Sequence, residues 1–104
     1  MKIDNSKCWT ELIICDDYDY DTFKMTAGIL QTDFSLIFIQ KLDDFDTSYW
    51  DFRYKGCALT LHCHVMTWVS IFPTACKEAS AADNEAVMEL EDLLSPYFIE
   101  HTKK

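Results

Sequence analysis

The sequence predicts one two-layer α+β domain, on three observations. The chain has 104 residues, the size of a single domain, with an apolar fraction of 49% that is globular rather than disordered. Two stretches carry apolar residues at helical spacing. Between them lies a run of strands, one pair of which alternates so regularly that its register can be written down in advance. The expected architecture is a four- or five-stranded mixed sheet with both helices on one face, in the order β-α-β-β-β-(β)-α.

Trp9–Cys15, WTELIIC, reads as the first strand. DDYDYD at Asp16–Asp21 ends it, because closely spaced carboxylates with little aliphatic content suit a loop. Asp19 or Asp21 then caps a helix running to about Gln31, with Phe23, Ala27 and Leu30 on one stripe. Gly28 weakens that helix, since an interior glycine costs about 1 kcal/mol. Phe34–Leu42, FSLIFIQKL, is apolar on both faces over Leu36–Ile39 and is therefore expected inside the sheet. DDFD at Asp43–Asp46 is a second acidic loop.

Tyr49–Tyr54 puts Trp50, Phe52 and Tyr54 on one face and Tyr49, Asp51 and Arg53 on the other. A two-residue turn at Lys55–Gly56 pairs Tyr54 with Cys57, Phe52 with Leu59 and Trp50 with Leu61. The opposite face then pairs Arg53 with Ala58, Asp51 with Thr60 and Tyr49 with His62. A slip of one residue would destroy the match. Met66–Phe72 is a further strand, or the continuation of a long bent one, ended by Pro73. Ser80 and Asp83 form a capping box for a helix that turns Val87, Leu90 and Leu94 to the core. Ser95–Pro96 is expected to stop this helix, leaving Tyr97, Phe98 and Ile99 to dock as a tail.

The formal charge is −9, of which residues 1–52 carry −7 from eleven acidic side chains and four lysines. Such a surface repels nucleic acid and anionic membranes, so neither is an expected partner. No stretch of eighteen residues is unbroken apolar, and MKIDNSKCWTE lacks the apolar run of a signal peptide; the expected location is cytoplasmic. Cys8, Cys15, Cys57, Cys63 and Cys76 are odd in number and form no CxxC pair, which suits free thiols in a reducing compartment.

LTLHCHVM, residues 59–66, sets Cys63 between two histidines. Alternation turns His62 and His64 to one face and Cys63 to the other, which removes a Cys–His dyad. Two histidines at i and i+2 can reach one metal ion, and Asp51 is the nearest third ligand on that face. Asp51 has equally good electrostatic partners in Arg53 and His62, so an outward polar face with the histidines stacked on Tyr49 is the preferred reading.

The acidic loops are more informative. A crossover helix makes the strands before and after it run the same way, so both loops leave one end of the sheet. Asp16, Asp17, Tyr18 and Asp19 would share a rim with Asp43, Asp44, Phe45 and Asp46, joined by Asp21. Neither loop matches an EF-hand, and no pocket marks a glycosidase-like pair. The rim is read either as a solvated edge or as a docking patch for a basic protein surface, with Tyr18 and Phe45 as anchors. GxSxG, P-loop, dinucleotide-binding and HExxH motifs are all missing, and with Gly28 and Gly56 the only glycines no phosphate cradle is expected.

YWDFRYKGCALTLHCH, residues 49–64, together with a strand beginning at Trp9, resembles a family of short gammaproteobacterial proteins, domain of unknown function 3630. The resemblance implies a bacterial cytoplasmic origin and transfers no catalytic role.

The functional expectation is a non-enzymatic domain, without cofactor, that binds a basic partner surface through the aspartate loops. The alternative is a small metal-dependent hydrolase using His62, His64 and Asp51. A monomer or a homodimer formed through an open sheet edge fits either reading.

Overall fold

The turn at Lys55–Gly56 forms as its sequence requires. In the computed structural model, which describes residues 1–15, 20–64 and 68–102 (the last four by backbone alone), both turn residues adopt positive φ, 52° and 82°. That is the conformation of a two-residue hairpin turn matched to strand twist. It joins β4 (Thr47–Tyr54) to β5 (Cys57–His64) with Tyr54 opposite Cys57, Phe52 opposite Leu59, Trp50 opposite Leu61 and Tyr49 opposite His62. The register is the one the alternation predicts.

The remaining elements are β1 (Lys2–Asp4), β2 (Glu11–Cys15), α1 (Tyr20–Thr32), β3 (Phe38–Asp43), β6 (Val69–Pro73) and α2 (Ala81–Thr102). Six strands form one sheet in the order β1-β2-β6-β5-β4-β3, and every neighbouring pair is antiparallel. The expectation of a four- or five-stranded mixed sheet is therefore corrected on both counts. β1 escapes sequence reading because three residues with one apolar side chain carry no period. The sheet is not mixed because α1 carries the chain across three strands, so β2 and β3 run the same way without ever pairing.

Both helices cover one face. Phe23, Ala27 and Leu30 of α1 and Val87, Leu90 and Leu94 of α2 join Leu12, Trp50, Phe52, Leu59, Leu61 and Ile71 in a single buried cluster. Burying each of the larger aliphatic or aromatic side chains contributes about 1.5–3 kcal/mol. α2 opens with the reciprocal capping box: the Asp83 amide donates to Ser80 Oγ and the Ser80 amide to Asp83 Oδ2, both at 3.1 Å.

Two further expectations fail for tertiary reasons. Pro96 lies inside α2 instead of ending it. Proline removes the donor that would reach the Asp92 carbonyl; one position earlier, the Ser95 hydroxyl donates to the Glu91 carbonyl at 2.6 Å. Phe98 packs on the core, and the Tyr97 ring meets Phe34 edge-on. The second correction concerns FSLIFIQKL. Its first residues close α1: the Phe34 amide donates to the Ile29 carbonyl, the Leu36 amide to the Leu30 carbonyl, and Ser35 takes a φ of 58°. Only Phe38–Asp43 is strand, and it is the outermost strand of the sheet rather than an interior one.

Among the described residues no helix is long and apolar enough to cross a membrane.

A Cβ built on Gly28 meets no atom within 4 Å. Gly28→Ala therefore raises stability by about 0.5–1 kcal/mol, the helix-propensity difference. At Gly56, where φ is +82°, the same change lowers stability by about 1 kcal/mol. Urea unfolding midpoints of the two variants move in opposite directions.

Candidate functional site

β3 ends in the turn Asp43–Thr47, where the aspartates serve the turn itself. The Trp50 indole N–H donates to Asp43 Oδ1 at 2.8 Å. Hydrogen bonds from Ser48 and from Trp50 hold the Asp43 carboxyl below its ordinary range. The Phe45 amide donates to Asp44 Oδ1 at 2.8 Å, and the Asp44 amide to the Thr47 carbonyl at 2.7 Å. Asp46 Oδ1 accepts the Thr47 hydroxyl, while its Oδ2 lies 3.8 Å from His64 Nε2. Phe45 gains nothing from this arrangement: it is 100% exposed between Asp44 and Asp46.

The edge strand and the residue before it also expose apolar side chains. Ile37, Ile39 and Leu42 are 76%, 57% and 55% accessible. Among the described residues β3 pairs only with β4, which leaves its other backbone edge open there. Edge strands are commonly guarded by an outward lysine. Here Lys41 folds back, its ammonium 4.3 Å from the Trp50 ring centroid.

The end of β2 and the end of β3 leave the sheet in the same direction, but three strands lie between them. At about 4.8 Å per strand they are separated by about 19 Å. Asp16, Asp17, Tyr18 and Asp19 lie outside the described residues, so the rim is described by Asp43–Asp46 alone; a cleft of about 430 Å³ there is bounded by Tyr20, Phe45 and Ser48.

His62 and His64 share the sheet face away from the helices, and Cys63 is buried in the core on the opposite side. The three candidate metal ligands do not converge. Asp51 Oδ1 accepts the Thr60 hydroxyl at 2.7 Å, and among the described residues no three His, Cys, Asp or Glu side chains gather closely enough to hold a metal ion. His62 is instead enclosed by rings, with centroids of Tyr49 at 4.9 Å and Phe72 at 5.6 Å. Its Nδ1 is sealed from solvent without a partner. Burial lowers its pKa, His64 adds to the effect and Glu11 opposes it.

Compared with protein-family models, curated proteins and solved structures, the chain matches none.

Sequence reading missed the most organised polar group on this face. Glu11 opens β2 and is only 4% exposed, beside the buried Ser70 and Ile13. Its Oε2 accepts the Ser70 hydroxyl at 2.7 Å and the Trp68 indole N–H at 3.1 Å, and its Oε1 accepts the Lys7 ammonium at 2.8 Å. Burial works to raise the Glu11 pKa, and these bonds from Lys7, Ser70 and Trp68 outweigh it, so the carboxyl titrates below its ordinary 4.5. A cavity of about 320 Å³ opens here, with Trp9, Tyr49, Trp68 and Phe72 in its wall beside Glu11 and His62. The sheet face away from the helices is thus partly roofed. The available signal was the carboxylate in WTELIIC, placed beside apolar residues of a strand.

Both groups, Glu11 buried and His62 half-buried, make the protein sensitive to acid. The depressed His62 pKa means that the unfolded chain takes up a proton first, so stability falls as pH drops through 6.5. The lowered Glu11 pKa holds stability above pH 4.5, which is lost as pH falls below it. Urea midpoints measured from pH 7 to pH 4 decline in both windows; His62→Gln flattens the upper step and Glu11→Gln the lower.

Proposed function

We propose that the protein is a non-enzymatic interaction domain that docks an extended, basic segment of a partner protein along the open edge of β3 and onto the acidic turn that follows. One observation carries the reading: the outermost strand and the residue before it present Ile37, Ile39 and Leu42 to solvent, and the strand runs directly into Asp44–Phe45–Asp46, whose aromatic ring is fully exposed. An unpaired strand edge supplies backbone donors and acceptors in register, while flanking side chains supply selectivity. The exposed aliphatic residues offer an apolar contact of the kind that marks interaction surfaces. Phe45 is placed as an anchor, since aromatic residues are enriched at interface centres.

Charge selects the partner. With a net −9, the domain steers basic surfaces and repels nucleic acid and copies of itself. Asp44 and Asp46 flank the exposed Phe45 ring, so they are the carboxylates that would meet the partner. A cytoplasmic setting accords with five cysteines free of disulfides.

The test is a titration of the isotope-labelled chain with a synthetic peptide of alternating arginine and valine. Amide shifts concentrate in β3 and the following turn, and Ile39→Lys weakens binding more than tenfold, roughly the effect of placing a charge in an apolar contact. Asp44→Asn combined with Asp46→Asn weakens binding several-fold at low salt and reduces its salt dependence. Shifts elsewhere, or an unaffected Ile39→Lys variant, refute the proposal; concentration-dependent dimerisation without peptide binding would give the edge to a second copy.

A further inference from the structure

The cavity on the far face has a different chemistry from the β3 edge, and it stands independently of that reading. We infer that it binds a small organic ammonium ion, held by the Glu11 carboxylate and the aromatic rings of Trp9, Tyr49, Trp68 and Phe72.

The wall has the two components that cation recognition needs. Ring faces attract cations through their quadrupoles, and do so more strongly when water is excluded. Four aromatic residues line this cavity of about 320 Å³, a size suited to a ligand of a few heavy atoms. Beside them sits an almost fully buried carboxylate already supplied with neutral donors from Ser70 and Trp68. Those donors fix its orientation and leave Oε1 directed at a cation.

The chain itself demonstrates the recognition. Lys7 Nζ lies 2.8 Å from Glu11 Oε1 and 5.7 Å from the centroid of the Trp68 ring, so an ammonium occupies the space between carboxylate and indole. The Lys7 side chain remains about one-third exposed and is shared with Asp4 at 3.4 Å, so it is an occupant that can be displaced. With Lys7 displaced, Glu11 is the charged carboxylate left in the lining, which favours a cation over an anion. A quaternary ammonium keeps the charge that Glu11 attracts and adds methyl groups that can bury against the rings.

Choline is the probe, and 3,3-dimethylbutan-1-ol, its uncharged carbon isostere, is the control. Tryptophan fluorescence and calorimetry of the full chain at pH 7.5 give saturable binding of choline, roughly tenfold tighter than the isostere. Glu11→Gln removes that preference. Because this variant risks the fold, Lys7→Met supplies the second arm: removing the internal ammonium frees carboxylate and indole, and choline binding tightens several-fold. Equal affinity for choline and its isostere would reduce the cavity to a hydrophobic slot and overturn the inference. So would an absence of saturable choline binding, or a Lys7→Met variant that binds choline no better than the parent chain.

Discussion

Two faces with opposite chemistry follow from the register of one hairpin. The turn at Lys55–Gly56 aligns Trp50, Phe52 and Tyr54 with Leu61, Leu59 and Cys57, so every large apolar side chain of the pair looks toward the helices. By strand alternation Tyr49, Asp51, His62 and His64 must look the other way. The core fixes the histidines' face before any question of function arises. It also explains why Cys63, flanked by imidazoles in sequence, turns its thiol to the face opposite theirs. At the turn, the Tyr54 hydroxyl donates to Glu89 while Lys55 pairs with the same carboxylate at 2.7 Å, tying the hairpin end to α2.

The far face would then be a plain polar surface were it not for Glu11. Removing one member of a buried charge pair typically costs about 3–5 kcal/mol, because the other is left without compensation. Glu11 avoids that penalty through three donors, drawn from the segment before β2, from the residue preceding β6 and from β6 itself. The carboxylate thus gathers Lys7, Trp68 and Ser70, which are distant in sequence, into one roof. The aromatic cavity is the by-product of that gathering. A hydrophobic residue at position 11 could pack the same strand, but would leave the indole N–H of Trp68 and the hydroxyl of Ser70 unpaired.

How much of this was legible depended on whether the information was local. The hairpin was readable because β4 and β5 are joined by two residues and test each other's pattern. The apolar stripes Phe23–Ala27–Leu30 and Val87–Leu90–Leu94 were readable for the same reason, each lying within three turns of helix. The position of β3 was not. A strand apolar on both faces satisfies the rule for a sheet interior equally well when it is an edge with one side open, and only the long passage of α1 over the sheet decides between them. β1 was too short to show a period. Pro96 obeyed tertiary contacts made by Tyr97 and Phe98 rather than its own preference. Asp51, His62 and His64 were placed correctly on a common face, yet a shared face is a weaker condition than convergence on one point, and Thr60 had already claimed the carboxylate. The donors to Glu11 come from positions 7, 68 and 70, a grouping with no signature along the chain.

The unequal borders of the sheet limit how copies of this molecule could assemble. One border, β3, is six residues long; the other, β1, has three. Stacking one border of each copy against the opposite border of the next is the geometry that propagates into fibres. Here such a junction would match only half the available ladder. Two long borders meeting about a twofold axis would match fully and then stop growing. Once acid or salt quiets the repulsion between like-charged copies, the shape of the sheet therefore favours a closed pair over an endless ribbon.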